Sequence, residues 1–124
     1  ANALLLDRVV RYNAVEAPTR QAAFSQYDHP EAAGRYARLA DYLGLGGKTT
    51  EAKLERLIEK LVALRAEVGL PATIGEAGVD EASFVAGLDE LSLRAFDDQC
   101  TGANPRLPLV TEIAELYRAA YHGK

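Results

Sequence analysis

Apolar residues recur at three- and four-residue spacing through most of the sequence, and this spacing is typical of amphipathic α-helices. The first such segment covers residues 1–12. Its spacing is set by Leu6, Val9, Val10 and Asn13. Leu4 and Leu5 widen the apolar surface to most of the helix circumference, and no good N-cap residue precedes them. The pattern predicts a first helix that is buried in a larger structure.

Two further helices are predicted in the first half of the chain. A proline in the first turn, followed by an acidic residue, marks a helix start at residues 28–31, and Gly44 ends that helix. The next helix has the clearest pattern, because Thr49 or Thr50 can cap it and Gly69 follows its last apolar position. One apolar stripe is predicted along it, made of Leu54, Leu57, Ile58, Leu61, Val62 and Val68.

The second half is predicted to hold one or two helices, a polar loop and a last helix. Asp80 caps a helix, or a pair of helices, with Gly87 as a weak point, and Pro108 starts the last helix. The apolar positions are Phe84, Leu88, Leu91 and Phe96, and then Leu109, Val110, Ile113, Leu116, Tyr117 and Tyr121. No segment reads convincingly as a strand. The sequence therefore predicts an all-α fold of five to six helices, with residues 1–124 as a single helical domain.

Composition and charge narrow the functional classes. The 124 residues carry 14 basic and 18 acidic side chains, a formal charge of −4, without a basic run. This balance argues against nucleic acid as a partner, because such binding depends on Lys and Arg that neutralise phosphates. The longest apolar runs are far shorter than a membrane span. We therefore expect no membrane partner. A single cysteine cannot form an internal disulfide, which fits a reducing compartment, and we expect a cytoplasmic protein.

The start of the sequence is unusual for a complete protein. The chain has no methionine and opens directly inside a helical pattern. One interpretation is a mature protein from which the initiator has been removed. The other, which the uncapped apolar helix favours, is a cut through a longer protein.

The residue types needed for a metal or nucleotide site are scarce. The two histidines, His29 and His122, stand alone near predicted helix ends, and no HxxxH, HExxH or cysteine cluster is present. Asp7 is expected to be a surface charge rather than a ligand. Residues 44–47 are rich in glycine but lack both the GxGxxG spacing and a preceding strand. From the residues alone, we therefore predict no metal ligand, no cofactor-binding residue and no catalytic residue.

One polar segment between the last two apolar regions has no helical periodicity. It reads Asp97-Asp98-Gln99-Cys100-Thr101-Gly102-Ala103-Asn104-Pro105-Arg106. One interpretation is a helix-ending loop in which Arg106 pairs with Asp97 or Asp98. The other is a loop that faces a cleft, with Cys100 as a small wall residue. No basic neighbour in the sequence supports a nucleophilic thiolate.

This segment resembles the C-terminal signature of the iron-dependent (group III) alcohol dehydrogenases. Other blocks agree in order and spacing: Ala1-Asn2-Ala3, Arg11-Tyr12-Asn13-Ala14, Arg35-Tyr36-Ala37, Asp41-Tyr42-Leu43-Gly44-Leu45, Glu76-Ala77-Gly78-Val79 and Ala120-Tyr121-His122-Gly123. Residues 19–27 are similar, more narrowly, to the alcohol dehydrogenase half of bifunctional aldehyde–alcohol dehydrogenases. The resemblance extends over essentially the whole chain.

The resemblance implies an enzyme that interconverts aldehydes and primary alcohols with NAD and iron(II). Such enzymes hold NAD in an N-terminal domain, and iron polarises the substrate oxygen during hydride transfer. The last iron histidine of the family precedes a block like Ala1-Asn2-Ala3, so no iron ligand is carried over to this sequence. The chain alone is expected to bind neither cofactor and to be inactive.

Further expectations follow from the resemblance. Cys100 is the candidate for a residue at the substrate cleft. The partners would be the nicotinamide domain, an aldehyde dehydrogenase domain in a bifunctional parent, and further copies in a homo-oligomer. The rival interpretation is a free-standing helical interaction module without catalysis.

Overall fold

The computed structural model describes residues 2–16 and 31–123, which form five α-helices and their connections. The helices are α1 (Asn2–Asn13), α2 (Ala32–Tyr42), α3 (Thr50–Glu67), α4 (Glu81–Asp97) and α5 (Val110–His122), with a short 3₁₀ turn at Thr101–Ala103. These two ranges contain no β-strand, so the all-α prediction is confirmed. No helix in the described part of the chain has the length and apolar character needed to cross a membrane.

The first helix lies between two pairs of helices. α2 packs against α3 and α4 packs against α5, whereas α1 contacts α2, α3 and α5. The α4–α5 pair holds a core cluster made of Phe84, Leu88 and Ala114, with Ile74, Tyr117 and Tyr121 packed on it. The rings of Phe84 and Tyr121 stack with their centroids 4.3 Å apart. Because α1 contacts both pairs, its side chains connect the two halves of the molecule.

The helix boundaries that depend on capping agree with the sequence. Thr49 Oγ1 accepts a hydrogen bond from the backbone N–H of Ala52 at 3.2 Å and caps α3. Asp80 accepts one from the N–H of Ser83 at 2.9 Å and caps α4. Gly69, directly after the α3 C-cap residue, has a φ of +73°, a conformation that favours glycine at helix ends.

The start of α5 differs from the prediction, whereas the continuity of α4 and the start of α2 complete it. α5 begins at Val110, two residues after Pro108, and its first turn is closed by Glu112, which accepts a hydrogen bond from the N–H of Leu109 at 2.9 Å. α4 is one continuous helix through Gly87. Of the helix start predicted at residues 28–31, only Glu31 is described, as the N-cap of α2. Residues 19–27 and 28–30 lie outside the described part, and His29 is among them.

The apolar stripe of α3 is buried over only part of its length, which corrects the predicted continuous face. Leu57 and Ile58 are buried, whereas Val62 and Val68 are exposed. The reason is the length of the neighbouring helix. At 1.5 Å per residue, α2 is about 16 Å long and α3 about 27 Å, so α2 cannot cover the C-terminal turns of α3.

The inner face of α4 is also narrower than predicted. The sequence predicts Leu91 and Phe96 on the buried face, but both are exposed. The buried line consists of Phe84, Leu88 and Ser92, four residues apart, and Ser92 donates its hydroxyl to the carbonyl of Leu88 at 2.8 Å. α5 covers this single line, so residues to either side of it remain accessible.

Candidate substrate cleft

A cleft opens between α1, the C-terminal end of α4, the following polar segment and α5. Its volume is about 420 Å³, within the range of pockets that take small organic ligands. The lining residues are Asn2, Leu5, Val9, Tyr12, Ala95, Cys100, Thr101, Asn104, Pro108, Ile113, Leu116 and Tyr117. The polar segment singled out in the sequence therefore does face a cleft.

One face of α1 forms a wall of this cleft along the length of the helix. Asn2, Leu5, Val9 and Tyr12 follow each other at spacings of three, four and three residues, which places them on the same side of a helix. From the first to the last, the wall extends about 15 Å at 1.5 Å per residue. The apolar surface of α1 led to the prediction of a buried helix. Part of that surface instead lines an open cleft.

The rim and the floor of the cleft differ in chemistry. Asn2 and Cys100 are the exposed polar residues of the lining, and we call them the rim. Pro108 and Ile113 are buried lining residues, and we call them the floor. A molecule that occupies this cleft would meet polar groups and solvent at the rim and hydrocarbon at the floor.

The structure places Cys100 in the lining, between α4 and the 3₁₀ turn. Its backbone N–H donates a hydrogen bond to Asp98 Oδ1 at 2.7 Å. The side chain that is hydrogen-bonded to Cys100 is therefore a negatively charged carboxylate, whereas nucleophilic cysteines lie in electropositive surroundings. The geometry fits a wall residue, and its contact with substrate remains a prediction.

Arg106 does not pair with Asp97 or Asp98, which corrects the loop interpretation. It instead binds Glu112 of α5, with Arg106 Nη2 and Glu112 Oε1 2.8 Å apart. The two side chains are only 14% and 18% exposed. Glu112 lies in the first turn of α5, where the helix N-terminus favours an acidic residue. The loop turns toward this end of α5, so the Arg106 guanidinium meets Glu112 and not the acidic residues at the end of α4.

Tyr12 is held in the cleft wall by the same pair. Its hydroxyl donates to Glu112 Oε2 at 2.8 Å, and the Arg106 guanidinium lies over its ring, 4.0 Å from the centroid. Arg106 Nη1 also donates to the backbone carbonyl of Tyr12 at 3.2 Å. The aromatic ring is therefore fixed from two directions.

Two asparagines add a second link between α1 and the polar segment. Asn13 Nδ2 donates to Asn104 Oδ1 at 3.0 Å, and Asn104 Nδ2 donates to Asn13 Oδ1 at 2.7 Å. Asn104 also donates to the carbonyl of Arg106 at 2.6 Å. The position of Asn13 on the apolar side of the first helix indicates a role inside the molecule, but its partner is 91 residues away.

Asp7 is not the surface charge that the sequence predicted. It lies between α1 and α3, where Arg65 Nη1 is 2.9 Å from its Oδ1, and both side chains are largely buried. The α1–α3 contact explains the difference, because it encloses the acid beside an arginine 58 positions further along. Next to this pair runs a smaller groove of about 200 Å³, lined by Ala3, Leu6, Asp7, Leu61, Leu64, Arg65, Val68 and Leu70.

The described residues do not provide a donor set for iron. Within them, no group of three or more His, Cys, Asp or Glu side chains is placed so that it could hold a metal ion. His122 ends α5, as predicted, and meets the ring of Tyr121 edge-on at 5.1 Å. A protein site for iron needs several converging ligands, so these side chains do not fit one.

The fold and the cleft together define a class of protein: an all-α region with an open, mostly apolar cleft and, among its described residues, no cluster of metal-ligating side chains. Comparison with known proteins then gives the family. The model of the Fe-containing alcohol dehydrogenase family, C-terminal, matches residues 1–121. The chain belongs to this family, and the resemblance found in the sequence is confirmed.

Individual relatives are similar over nearly the whole chain. The bifunctional aldehyde-alcohol dehydrogenase AdhE of Escherichia coli K12 is 56% identical over 100% of the chain. The aldehyde-alcohol dehydrogenase of Clostridium acetobutylicum is 50% identical over 94%. The NADPH-dependent butanol dehydrogenase of Clostridium saccharobutylicum is 30% identical over 99%, and the chain spans 28% of it. The chain spans only 14% of the length of the first two relatives.

Proposed function

We propose that this chain forms one wall of the substrate cleft in an iron-dependent, NAD-linked alcohol dehydrogenase that interconverts aldehydes and primary alcohols. The observation that carries the proposal is the apolar cleft beside α1, with Cys100 at its rim. Family membership and the bifunctional relatives support placing the chain in the alcohol dehydrogenase half of a bifunctional enzyme.

The family description includes iron, but the side chains of the described residues do not fit it. Iron and NAD would therefore be held by parts of the complete enzyme other than the residues described. The contribution of this chain is to bind the carbon part of the substrate and to keep water from it. By itself, the 124-residue chain is expected to take up no iron and to have no activity.

The partners and location follow from the same proposal. The chain would pack against the nicotinamide domain of its own enzyme, and an aldehyde dehydrogenase domain would belong to the same polypeptide. We further propose a homo-oligomer in the cytoplasm, without nucleic acid or membrane as a partner. A net charge of −4 agrees with the absence of a nucleic-acid partner.

A free-standing helical interaction module is the alternative. It has the same fold, but it predicts that a partner protein, not an alcohol, occupies the cleft. Sequencing the coding region upstream discriminates between the two, because the dehydrogenase requires a nicotinamide domain in the same reading frame.

The test of the proposed function is a substitution at the rim, Cys100→Ser, in the complete dehydrogenase. Because Cys100 would form a wall and not a nucleophile, we expect altered KM values and altered preference among primary alcohols, with kcat largely kept. Steady-state kinetics with a series of alcohols measures both parameters. Complete loss of hydride transfer in a folded enzyme would show that the assigned role is wrong.

A further inference from the structure

The accessible polar residues of the cleft lining and its buried apolar residues give the cleft a direction. The exposed polar side chains of the lining, Asn2 and Cys100, lie at the rim. Two polar groups further along the lining are already bonded within the protein: the Thr101 hydroxyl donates to the carbonyl of Ala95, and the Tyr12 hydroxyl to Glu112. A ligand with one polar end is therefore oriented with that end toward the rim.

The floor is hydrocarbon and belongs to α5 and the residues before it. Ile113 is 7% exposed and Pro108 is buried, and the half-buried Leu116 follows one turn later on the same helix. Buried apolar surface favours a hydrocarbon tail over a polar one in proportion to the area covered. The chemistry of the floor thus matches the carbon chain of a straight primary alcohol.

The size of the cleft adds a second constraint. Its volume of about 420 Å³ lies in the range of pockets for ligands much larger than a two-carbon alcohol. We propose that Ile113 receives the end of the carbon tail and is one of the residues that set which tail lengths the enzyme prefers, with tails longer than two carbons favoured. This inference rests on the proposed function, because it assumes that the cleft takes the alcohol.

The experiment compares two equivalent substitutions in the complete dehydrogenase. Ile113→Val removes one methylene from the floor. Ile58→Val removes the same group from α3, at nearly the same burial of 6%, but outside the cleft lining. kcat/KM is measured for the straight primary alcohols from ethanol to hexan-1-ol. Ile113→Leu, which keeps the volume and changes the shape, is a second variant.

The expected result is a change in preference, not only in activity. Each further methylene should raise kcat/KM of the wild type by about fourfold while it is buried in the cleft. Ile113→Val should raise the hexan-1-ol to ethanol ratio by about fourfold more, through KM, because one additional methylene then fits. Ile113→Leu should change the ratio as well, and Ile58→Val should leave it at the wild-type value.

The contrary outcomes are distinct. The role of Ile113 would be overturned if both Ile113 variants kept the wild-type ratio of kcat/KM for hexan-1-ol to that for ethanol. An equal change of this ratio in Ile58→Val would overturn it as well. Neither result would contradict the proposed alcohol oxidation. A complete, iron-loaded wild-type enzyme that oxidises none of these alcohols would instead overturn the proposed function, and this inference with it.

Discussion

Glu112 joins three parts of the chain around the cleft. Its carboxylate accepts hydrogen bonds from the Tyr12 hydroxyl, the Arg106 guanidinium and the backbone N–H of Leu109. One side chain thereby links α1, the polar segment and the first turn of α5. Removing it leaves the largely buried charge of Arg106 without this partner, and such a loss is costly in a protein interior.

We expect Glu112→Ala to lower the free energy of unfolding by about 3 kcal/mol, a magnitude typical of a broken buried pair. Glu55→Ala is the matched control, since Glu55 also binds α1, through Arg11, but both side chains are half exposed. Its loss should cost at most about 1 kcal/mol. Urea unfolding of the 124-residue chain measures both values, with wild type and variants compared at one protein concentration because self-association shifts the apparent stability. Equal losses in the two variants would show that the network at the cleft does not stabilise the fold.

At single residues, the sequence predicted which segment faces the cleft, but it did not predict the partners that the side chains bind. Cys100 drew attention because its segment is polar and aperiodic, and the structure places it in a cleft lining. Arg106 is predicted to pair with Asp97 or Asp98, but it binds Glu112, only six residues further along, because the segment turns toward α5 and not back to α4. The Asn13–Asn104 contact was missed because it spans 91 positions, and no local pattern encodes such a distance.

At the level of elements, the capped helix ends were predictable, and the helix faces were predictable only in part. The caps at Thr49 and Asp80 depend on hydrogen bonds within three residues, so the sequence contains all that is needed. Which apolar residues become buried depends on the neighbouring helix. Val68 and Phe96 continue their stripes, yet both are exposed, and Val68 lies in the open groove between α1 and α3.

The cap of α4 should make stability depend on pH. Hydrogen bonds from the backbone and hydroxyl of Ser83 hold the pKa of the Asp80 carboxyl below its ordinary value. A carboxyl whose pKa is lowered in the folded state stabilises the fold at any pH above its pKa in the unfolded chain, which is about 3.9. That contribution is lost as the pH falls through the folded-state pKa.

Ser83→Ala tests this directly, because it removes the hydroxyl donor and leaves the backbone donor in place. We expect the pKa of Asp80 to rise toward its ordinary value, as followed by NMR titration of the carboxyl carbon. The wild type should be more stable than Asp80→Asn at pH 6. At pH 2, where the carboxyl is protonated, this difference in the free energy of unfolding should be smaller. An unchanged Asp80 pKa in Ser83→Ala would mean that the hydroxyl does not contribute to the cap.

The whole molecule exposes apolar surface in a groove between α1 and α3. Leu6, Leu64, Val68 and Leu70 all line this groove, and all four are exposed. Soluble monomers seldom expose contiguous apolar patches of more than a few hundred Å². In isolation, the 124-residue chain is therefore expected to self-associate.

Leu64→Lys should shift this association toward the monomer, because it places a charge in the groove. Leu39→Lys is the control: both leucines are 45% exposed, but Leu39 lies on α2 and outside the groove lining. Light scattering over a range of protein concentrations gives the mean mass of each variant. A monomeric wild type, or equal effects of the two substitutions, would contradict this use of the groove.

The central claim, that the cleft beside α1 takes the alcohol, is tested most directly at Cys100. Its thiol lies at the rim, so an alcohol in the cleft should shield it. The measurement is the rate at which iodoacetamide alkylates Cys100 in the complete, iron-loaded enzyme, read by mass spectrometry of its peptide. At ten times the dissociation constant of butan-1-ol, mass action predicts a rate about tenfold lower than without alcohol. In the urea-unfolded protein, the alcohol should have no effect. An enzyme that turns over butan-1-ol while Cys100 is alkylated at the same rate with and without it would contradict the account.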